Sequence, residues 1–359
     1  MTHAAIAHQR LYNQHISADP FKQPVDVLDW LGAVQSQDFA SAKWAIGLRV
    51  QAATDTSIEQ DFNAGKILRT HVLRPTWHFV APADIRWLLA LTAPRVHALN
   101  ALYYRRLELD QDTLSRSLTA IIQALQAGRQ LTRDELQTVL EQSGIVQASE
   151  MRLIYILMYA ELEGILCSGA RRGKQFTYAL LDECVPLQNS LKPDEAAARL
   201  ALRYFLSRGP ASLQDFAKWS GLTMAACRAA LEAVKDQLQH ELVDGQTYWF
   251  SGSISSGYAQ PAPSAYLLSI FDEYICSYKD RSAMVAEAYA RKLNSMGNAL
   301  TAILVVDDQI IGTWKRILKK DTVLIKTDIF STVSAPGDCA IRQAMERYAA
   351  FLKLSLQPE

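Results

Sequence analysis

The sequence predicts an α+β protein, mainly α-helical, with three tandem winged-helix motifs followed by a β-rich C-terminal region. Between residues 109 and 252 one order of elements occurs twice: three amphipathic helices and then two short strands. This order is typical of the winged form of the helix-turn-helix. An N-terminal segment with its own predicted hairpin at 67–80 forms a third copy. Beyond residue 252 the hydrophobic pattern is mostly that of strands. The predicted domains are therefore 1–108, 109–190, 191–252 and 253–359.

The composition is that of an ordinary folded protein with a sizeable core. Apolar residues make up 49% of the 359 residues, and charged residues make up 21%. Because 37 basic side chains balance 37 acidic ones, any surface that binds nucleic acid must be local. The five cysteines are scattered, with no C-x-x-C pair, which indicates a reducing cytoplasm. Neither a signal peptide nor a membrane span is predicted.

Motifs for common cofactors are missing from the sequence. It has no P-loop, no Rossmann glycine pattern and no deaminase zinc signature. His71 and His78 lie seven residues apart without a third ligand in metal spacing, so we expect no metal and no cofactor. Asp272 and Glu273 are adjacent carboxylates in a region that reads as β. Adjacent strand residues face opposite ways, which favours structural salt bridges over paired acid–base chemistry.

Two glutamines lie at a predicted junction between helices near the N-terminus. One apolar helical run ends at Val34-Gln35-Ser36-Gln37-Asp38, and a second begins after it. Asp38 or Ser41 can cap the second helix. In a short extended link, residues i and i+2 project to the same side, so Gln35 and Gln37 can point into one cleft and hold a water or a base edge. The alternative, which the spacing alone favours, is that both amides only satisfy local backbone groups.

A period of two marks the sequence KILRTHVLRPTWHFVAP. It places Arg74, Thr76 and His78 on one face of a strand or hairpin and apolar side chains on the other. Such a polar edge offers three hydrogen-bonding groups to a ligand. The alternative is a half-buried strand with a solvated face.

Two loops carry local positive charge. The first is a predicted hairpin tip with Arg171, Arg172 and Lys174, a basic glycine-bearing loop that suits phosphate contact; the alternative is a solubilising tip. The second surrounds Lys315 and Arg316. By contrast, the Asp244-Gly245 turn of the third repeat carries no positive charge. A stretch at 251–266 rich in Ser, Gly and Pro is predicted to be a linker.

Five segments together resemble the AlkZ-like winged-helix family of bacterial DNA glycosylases, from about residue 5 to 350. The family includes enzymes that protect producers of the crosslinking antibiotic azinomycin and enzymes that unhook interstrand crosslinks. The segments are LDWLGAVQSQDFASAKWAIGLRV, LRTHVLRPTWHFVAPADIRWLL, RGPASLQDFAKWSGL, LLSIFDEYICSYKDRS and IIGTWKR. The resemblance implies three winged-helix motifs and a barrel-like C-terminal region that form a clamp on duplex DNA.

The resemblance also implies a set of site residues. The family's catalytic motif, a glutamine, a usually apolar residue and then a glutamine or aspartate, falls on Gln35, Ser36 and Gln37; Ser36 departs from the apolar pattern. A family strand that resembles Arg-Gly-Thr-Leu-His falls on residues 74–78, where Pro75 replaces a glycine. The hairpin with Lys315 and Arg316 resembles a family element that lies against DNA.

Glutamine cannot act as a general base at neutral pH, but it can position and polarise a water. This help is enough when the leaving base is already cationic, as an N7- or N3-alkylpurine is. The expected activity is therefore that of a monofunctional DNA glycosylase on alkylated purines in duplex DNA, acting as a monomer. The alternative is a winged-helix protein that binds lesions or regulates transcription without catalysis. The third helices begin with Ser149-Glu150-Met151-Arg152 and Thr223-Met224-Ala225-Ala226, which are poor in base-reading side chains and favour damage recognition.

Overall fold

The fold is known from a computed structural model, which describes residues 1–145, 150–187, 191–252, 263–296 and 301–357. Most of the predicted linker at 251–266 lies outside these ranges. The described helices are α1 (His3–Asn13), α2 (Pro24–Leu31), α3 (Phe39–Gly47), α4 (Asp55–Asn63), α5 (Ile85–Arg106), α6 (Gln111–Leu125), α7 (Arg133–Gln142), α8 (Glu150–Leu162), α9 (Leu181–Cys184), α10 (Pro193–Arg208), α11 (Leu213–Ser220), α12 (Met224–Glu232), α13 (Glu273–Cys276), α14 (Glu287–Ser295) and α15 (Ala335–Leu352).

The described strands are short, apart from two long ones near the C-terminus, and the mixture of helices and strands confirms the predicted α+β class. They are β1 (Val34–Gln35), β2 (Leu68–His71), β3 (Trp77–Val80), β4 (Leu131–Thr132), β5 (Leu166–Ser168), β6 (Thr177–Leu180), β7 (Gln239–Val243), β8 (Gln246–Phe250), β9 (Ala265–Leu268), β10 (Ile303–Val306), β11 (Gln309–Leu318), β12 (Thr322–Ile329) and β13 (Ser355–Gln357).

The chain forms two compact units. The first contains residues 1–59, 198–219 and 223–359, and the second contains residues 60–197 and 220–222. No helix in the described ranges combines the length and the apolar character needed to cross a bilayer.

A curled five-stranded sheet dominates the C-terminal part of the first unit, with strand order β13-β12-β11-β10-β9. Neighbouring strands are antiparallel except β12 and β13, which are parallel. Helix α15 covers the sheet, and the ring of its buried Tyr348 lies 4.9 Å from the ring of Trp314 on β11. The same tyrosine ring lies 4.9 Å from Trp44 on α3, so α15 joins the sheet to the helix that follows the glutamine motif.

The third repeat predicted from the sequence also lies mainly in the first unit. Ser212 and Asp215 exchange backbone and side-chain hydrogen bonds as the predicted cap of α11. Hairpin β7–β8 turns at Asp244 and Gly245, whose φ angles of 49° and 78° are those of a type I′ turn. Helix α12 ends at Glu232, and a short 3₁₀ turn follows it at Lys235–Gln237.

In the second unit α6, α7 and α8 pack on a small sheet of order β4-β6-β5. A capping box starts α7: Thr132 Oγ1 accepts from the N–H of Glu135, and the Glu135 carboxylate accepts from the N–H of Thr132. The core between these helices is apolar and closed to solvent; its fully buried members include Ile121, Leu125, Leu136, Leu140, Ile156 and Leu166.

The strand predicted across residues 74–78 is shorter than expected, because β3 begins only at Trp77. Arg74 and Thr76 lie in the preceding loop. Leu73 has a φ of 63°, and the N–H of Thr76 donates to the Arg74 carbonyl at 2.6 Å. Such an i→i+2 bond is a γ-turn, and the fixed φ of Pro75 suits its centre. A proline is therefore compatible with this backbone where the family has a glycine.

The assignment of Asp272 and Glu273 to a β region was wrong. Asp272 caps α13 and Glu273 is its first residue, because the Asp272 carboxylate accepts the N–H of Tyr274 and so starts a helical turn. Helix α14 also lies in the stretch that was predicted to be mostly β.

Candidate functional site

The glutamine motif lies between two well-defined helix ends in the first unit. Helix α2 stops at Gly32, which has a φ of 77° and so favours glycine. The chain then extends through β1, and Asp38 caps α3 by accepting the N–H of Ser41 at 2.7 Å. The predicted role of Asp38 as a cap is thus confirmed. A short extended segment with a helix on each side has little conformational freedom.

Exposure differs along the motif. Gln37 is exposed, Gln35 is 8% exposed, and Ser36 is fully buried. A small side chain therefore fills the middle position, which the family usually gives to an apolar residue. An exposed amide at Gln37 can hold a water or contact a ligand, while the buried Gln35 can support it from beneath.

Asp272 and Glu273 each form a buried ion pair in the first unit, as the salt-bridge interpretation predicts, and the pair of Glu273 contacts the backbone of this motif. Asp272 receives two hydrogen bonds from Arg49, at 2.9 and 3.0 Å. Glu273 receives one from Arg208 at 2.7 Å, and both of these side chains are fully buried. Buried carboxylates need such partners, because an isolated charge is costly to remove from water.

A cavity of about 680 Å³ lies next to Asp38, the residue that follows Gln37; Lys315, Arg316 and Lys326 on the strands β11 and β12 also line it, whereas Gln35 and Gln37 are not among its lining residues. Lys315 and Lys326 are directly opposite each other in the register, and neither forms an ion pair within the described ranges. Like charges in that position are unfavourable unless an anion lies nearby. Lys326 was missed in the sequence, since only strand pairing brings it to Lys315.

Arg316 has a different environment from Lys315. Its guanidinium donates to the hydroxyl of Tyr348 and lies 5.8 Å from the centre of that ring. This contact stabilises the packing of α15 on the sheet. Of the two residues predicted here, Lys315 is thus the more exposed, and Arg316 is the one whose side chain contacts the rest of the protein.

In the second unit, Arg74 and His78 contact each other. His78 is fully buried, whereas Arg74 and Thr76 are half-buried, so this face is only partly open to solvent. Its Nδ1 donates to the Thr76 carbonyl at 2.9 Å, and its Nε2 lies 3.3 Å from an Arg74 nitrogen. A carbonyl can only accept, so Nδ1 carries the proton and neutral Nε2 accepts from Arg74. The buried Thr76 Oγ1 makes no hydrogen bond to the described part of the chain.

A buried arginine joins the two hairpins of the second unit. The Arg69 guanidinium lies 4.2 Å from the ring of Trp77 on β3 and 4.5 Å from the ring of Phe176. The Arg171 guanidinium lies 5.0 Å from the centre of the same Phe176 ring. Burial lowers the pKa of Arg69 to about 10, opposed by the nearby charge of Glu161. Arg69 remains cationic at neutral pH and holds β3 beside the 169–174 loop.

The three basic residues of the 169–174 loop have different contacts. Arg172 donates to Glu135 at 2.7 Å and to the Gln130 carbonyl at 2.9 Å, while Arg171 donates to the Lys174 carbonyl at 2.7 Å. The Lys174 side chain is exposed. The loop therefore keeps a positive tip, although Glu135 offsets part of the charge of Arg172.

The structure groups the predicted site residues by unit. In the first unit, the cavity beside the glutamine motif includes Lys315 and Arg316. In the second unit, Arg74, Thr76 and His78 lie in one loop and strand, and the Arg69 cluster connects that strand to the basic loop. No group of three or more potential metal ligands occurs among the residues described.

The fold and this arrangement of side chains define a class of protein. A family model described as DNA glycosylase AlkZ-like matches residues 28–351, and the chain belongs to this family of DNA glycosylases. Among curated proteins, it is 25% identical over 340 residues to an interstrand DNA cross-link repair glycosylase from Streptomyces sahachiroi, covering 91% of each chain. Among solved structures, it resembles the Streptomyces sahachiroi DNA glycosylase AlkZ, with a TM-score of 0.82, 19% identity and 99% coverage of both chains.

Proposed function

We propose that this protein is a monofunctional DNA glycosylase that hydrolyses the N-glycosidic bond of cationic N7- or N3-alkylpurines in duplex DNA. The observation that carries the proposal is the placement of Gln37, an exposed amide immediately before the capped N-terminus of α3. Gln35 beneath it is nearly buried. Such a pair holds a water in a fixed position without supplying a base.

The chemistry follows from what an amide can do. An alkylated purine carries positive charge and departs as a neutral base, while the sugar gains oxocarbenium character. Gln37 holds the attacking water on the far face of the sugar, and Gln35 helps to orient it. The amide carbonyls also stabilise the developing positive charge. The products are the free base, an abasic site and a proton, which the attacking water gives up to the solvent. The motif contains no lysine, so no Schiff base forms there and no lyase step follows.

We also propose that the helices and hairpins form three winged-helix motifs, in domains 1–108, 109–190 and 191–252, with the β-rich region at 253–359. The order α6, α7, α8 and then β5–β6 supports the second motif, and α10, α11, α12 and then β7–β8 supports the third. Three motifs on one chain can follow a duplex without a second copy, so we propose a monomer.

In this scheme the DNA-binding residues are basic or lie beside basic residues. Lys315 and Lys326 on the β11–β12 hairpin and Lys174 at the tip of the 169–174 loop suit phosphate contacts. The remaining proposed members are Arg74, Thr76, His78, Arg171, Arg172 and Arg316. The relative from Streptomyces sahachiroi is named for cross-link repair, which supports interstrand crosslinks as further substrates of this chain.

The test is base release from a duplex with one N7-methylguanine, with abasic sites counted by alkali-dependent strand scission. We expect release by the parent protein and a loss of about 10²-fold or more in Gln37→Ala, the scale of one lost transition-state group. Gln35→Ala is measured beside it. Strand scission without alkali would contradict the monofunctional assignment.

Two other outcomes are informative. If neither substitution changes the release of base, the protein is still a glycosylase, but Gln35 and Gln37 are not its catalytic residues. Absence of release from N7-methylguanine and from a bulkier N7 adduct, together with salt-sensitive duplex binding, would indicate a winged-helix protein that binds lesions or regulates transcription.

A further inference from the structure

The backbone of the glutamine motif contacts one buried ion pair in the first unit. The carboxylate of Glu273 accepts the N–H of Gln35 through Oε1, at 2.9 Å. Arg208, the partner of that carboxylate, donates to the carbonyls of Leu31 at 2.7 Å and Ala33 at 3.3 Å. One ion pair thus binds backbone groups of three alternate residues that lead into the motif.

The ion pair is itself fixed by its surroundings. Glu273 Oε2 accepts from Arg208, from Trp219 Nε1 at 2.9 Å and from Ser277 Oγ at 3.1 Å. The Arg208 guanidinium lies 4.3 Å from the centre of the Trp219 ring, and its Nε donates to Ser277 Oγ at 2.7 Å. Both charged side chains are fully buried. Neither can change its rotamer without leaving several buried groups unsatisfied.

We propose that Glu273 and Arg208 are positioning residues for catalysis, which fix the backbone at residues 31–35 and thereby the direction of the Gln35 and Gln37 side chains. The inference rests on the proposed function of that motif. An amide that holds a water contributes through geometry alone, because it transfers no proton. A displacement of about 1 Å can therefore cost about 10²-fold in rate.

The neighbouring ion pair provides a matched control. Asp272 and Arg49 are also buried and are joined by the same kind of carboxylate–guanidinium contact. Asp272 directly precedes Glu273 in the sequence. The remaining Arg49 donors, however, go to Gln14 and to the Ala45 carbonyl. Asp272→Asn and Glu273→Gln each leave a buried arginine without its carboxylate. In Glu273→Gln a single amide oxygen replaces two acceptors, and we expect it to face the three donors at Oε2, so that the NH2 group faces the N–H of Gln35 and that hydrogen bond is lost.

The experiment compares these two variants in two measurements at a temperature where both are folded. In single-turnover base release from an N7-methylguanine duplex, we expect Glu273→Gln to lose about 10²-fold in rate with unchanged duplex affinity. Asp272→Asn should stay near the parent rate. Hydrogen–deuterium exchange of the peptide around residues 31–38 should become faster in Glu273→Gln and remain as in the parent in Asp272→Asn.

The exchange measurement separates this proposal from the proposed function, since it does not require activity. If the parent releases no base, the proposed glycosylase function is wrong. Faster exchange at Gln35 in Glu273→Gln would still support the positioning contact. Unchanged exchange in Glu273→Gln, or equal rate losses in both variants, would overturn the positioning role.

A milder pair of variants applies if Glu273→Gln does not fold. Trp219→Phe removes one hydrogen bond to Oε2 and keeps the ring, and we expect a loss of roughly tenfold in rate with unchanged duplex affinity. Arg208→Lys keeps the charge but cannot contact both carbonyls, since an ammonium lacks the planar fork of the guanidinium. It should therefore lose rate without losing duplex affinity. Parent-like rates in both variants would contradict the proposal.

Discussion

A side chain added at Gly221 would place its Cβ 2.3 Å from the carbonyl oxygen of Leu73. Both residues belong to the second unit, and Leu73 directly precedes Arg74 in the loop that carries the proposed DNA-binding residues. Gly221 also has a φ of 72°, where a Cβ is unfavourable. The contact explains why the sequence has a glycine after Trp219-Ser220.

We predict that Gly221→Ala destabilises the protein by about 3 kcal/mol, because backbone strain and a steric clash add together. Gly65→Ala is the matched control: its φ is also 72°, but nothing lies within 4 Å of the added Cβ. It should cost only about 1 kcal/mol. Urea denaturation of both variants measures the difference, and equal losses would show that the contact with Leu73 does not matter.

We predict that Lys315→Gln and Lys326→Gln weaken duplex binding without loss of stability. Removing one of two opposed cations relieves repulsion in the free protein, which stabilises the hairpin by roughly 0.2–1 kcal/mol. If each lysine contacts a phosphate, each substitution should reduce the slope of log K against log salt by about 0.9. Binding isotherms at several salt concentrations measure this slope. Lys235→Gln, at a lysine that pairs with Glu232, controls for loss of net charge; an equal slope change there would contradict a specific contact.

We predict that Glu135→Gln strengthens duplex binding. The substitution removes the negative charge that pairs with Arg172, while glutamine still suits the capping box of α7. The N–H of Thr132, and then Arg172, lower the pKa of Glu135, so this carboxylate is charged at neutral pH in the parent. The salt dependence of binding should become steeper. Weaker binding, with the helix intact by circular dichroism, would place the 169–174 loop away from DNA.

We predict that Cys184 reacts with iodoacetamide half-maximally near pH 7. A hydrogen bond from the Cys167 thiol favours the thiolate and lowers the pKa of the exposed Cys184 to about 7. A lowered pKa means that thiolate persists as the pH falls, until it is protonated below about 7. In Cys167→Ala the alkylation midpoint should move to higher pH. Mass spectrometry of the labelled peptide provides the measurement, with the exposed Cys339 as internal reference; an unmoved midpoint would contradict the role of Cys167.

Local features of the fold were the most predictable. The capping box of Thr132 and Glu135 and the Asp244-Gly245 turn depend on side chains that reach only a few residues along the chain, so sequence spacing determines them. The strand predicted across residues 74–78 was too long, because alternation of polar and apolar residues does not reveal a γ-turn at Pro75. Strand β13 was missed, since its three residues form a strand only through pairing with β12.

The candidate site was likewise predictable in its local features and not in its long-range contacts. Its sequence includes Gln35 and Gln37 between two helices and basic residues at two hairpins, and their roles at these positions remain predictions. Lys326 was not found, because its relation to Lys315 depends on strand register. Salt bridges at Asp272 and Glu273 were expected, but their partners were not identifiable.

The sequence by itself determined the α+β class, most helix boundaries and the extended link that carries the glutamine motif, because periodicity, caps and turns act over one or two helical turns. Only the tertiary structure decided which charges meet. Glu273 and Gln35 are 238 residues apart, and Arg208 lies 65 residues from its carboxylate partner. Such contacts form because folding removes charged and polar groups from water, and each must then find a partner that the rest of the core has brought within reach.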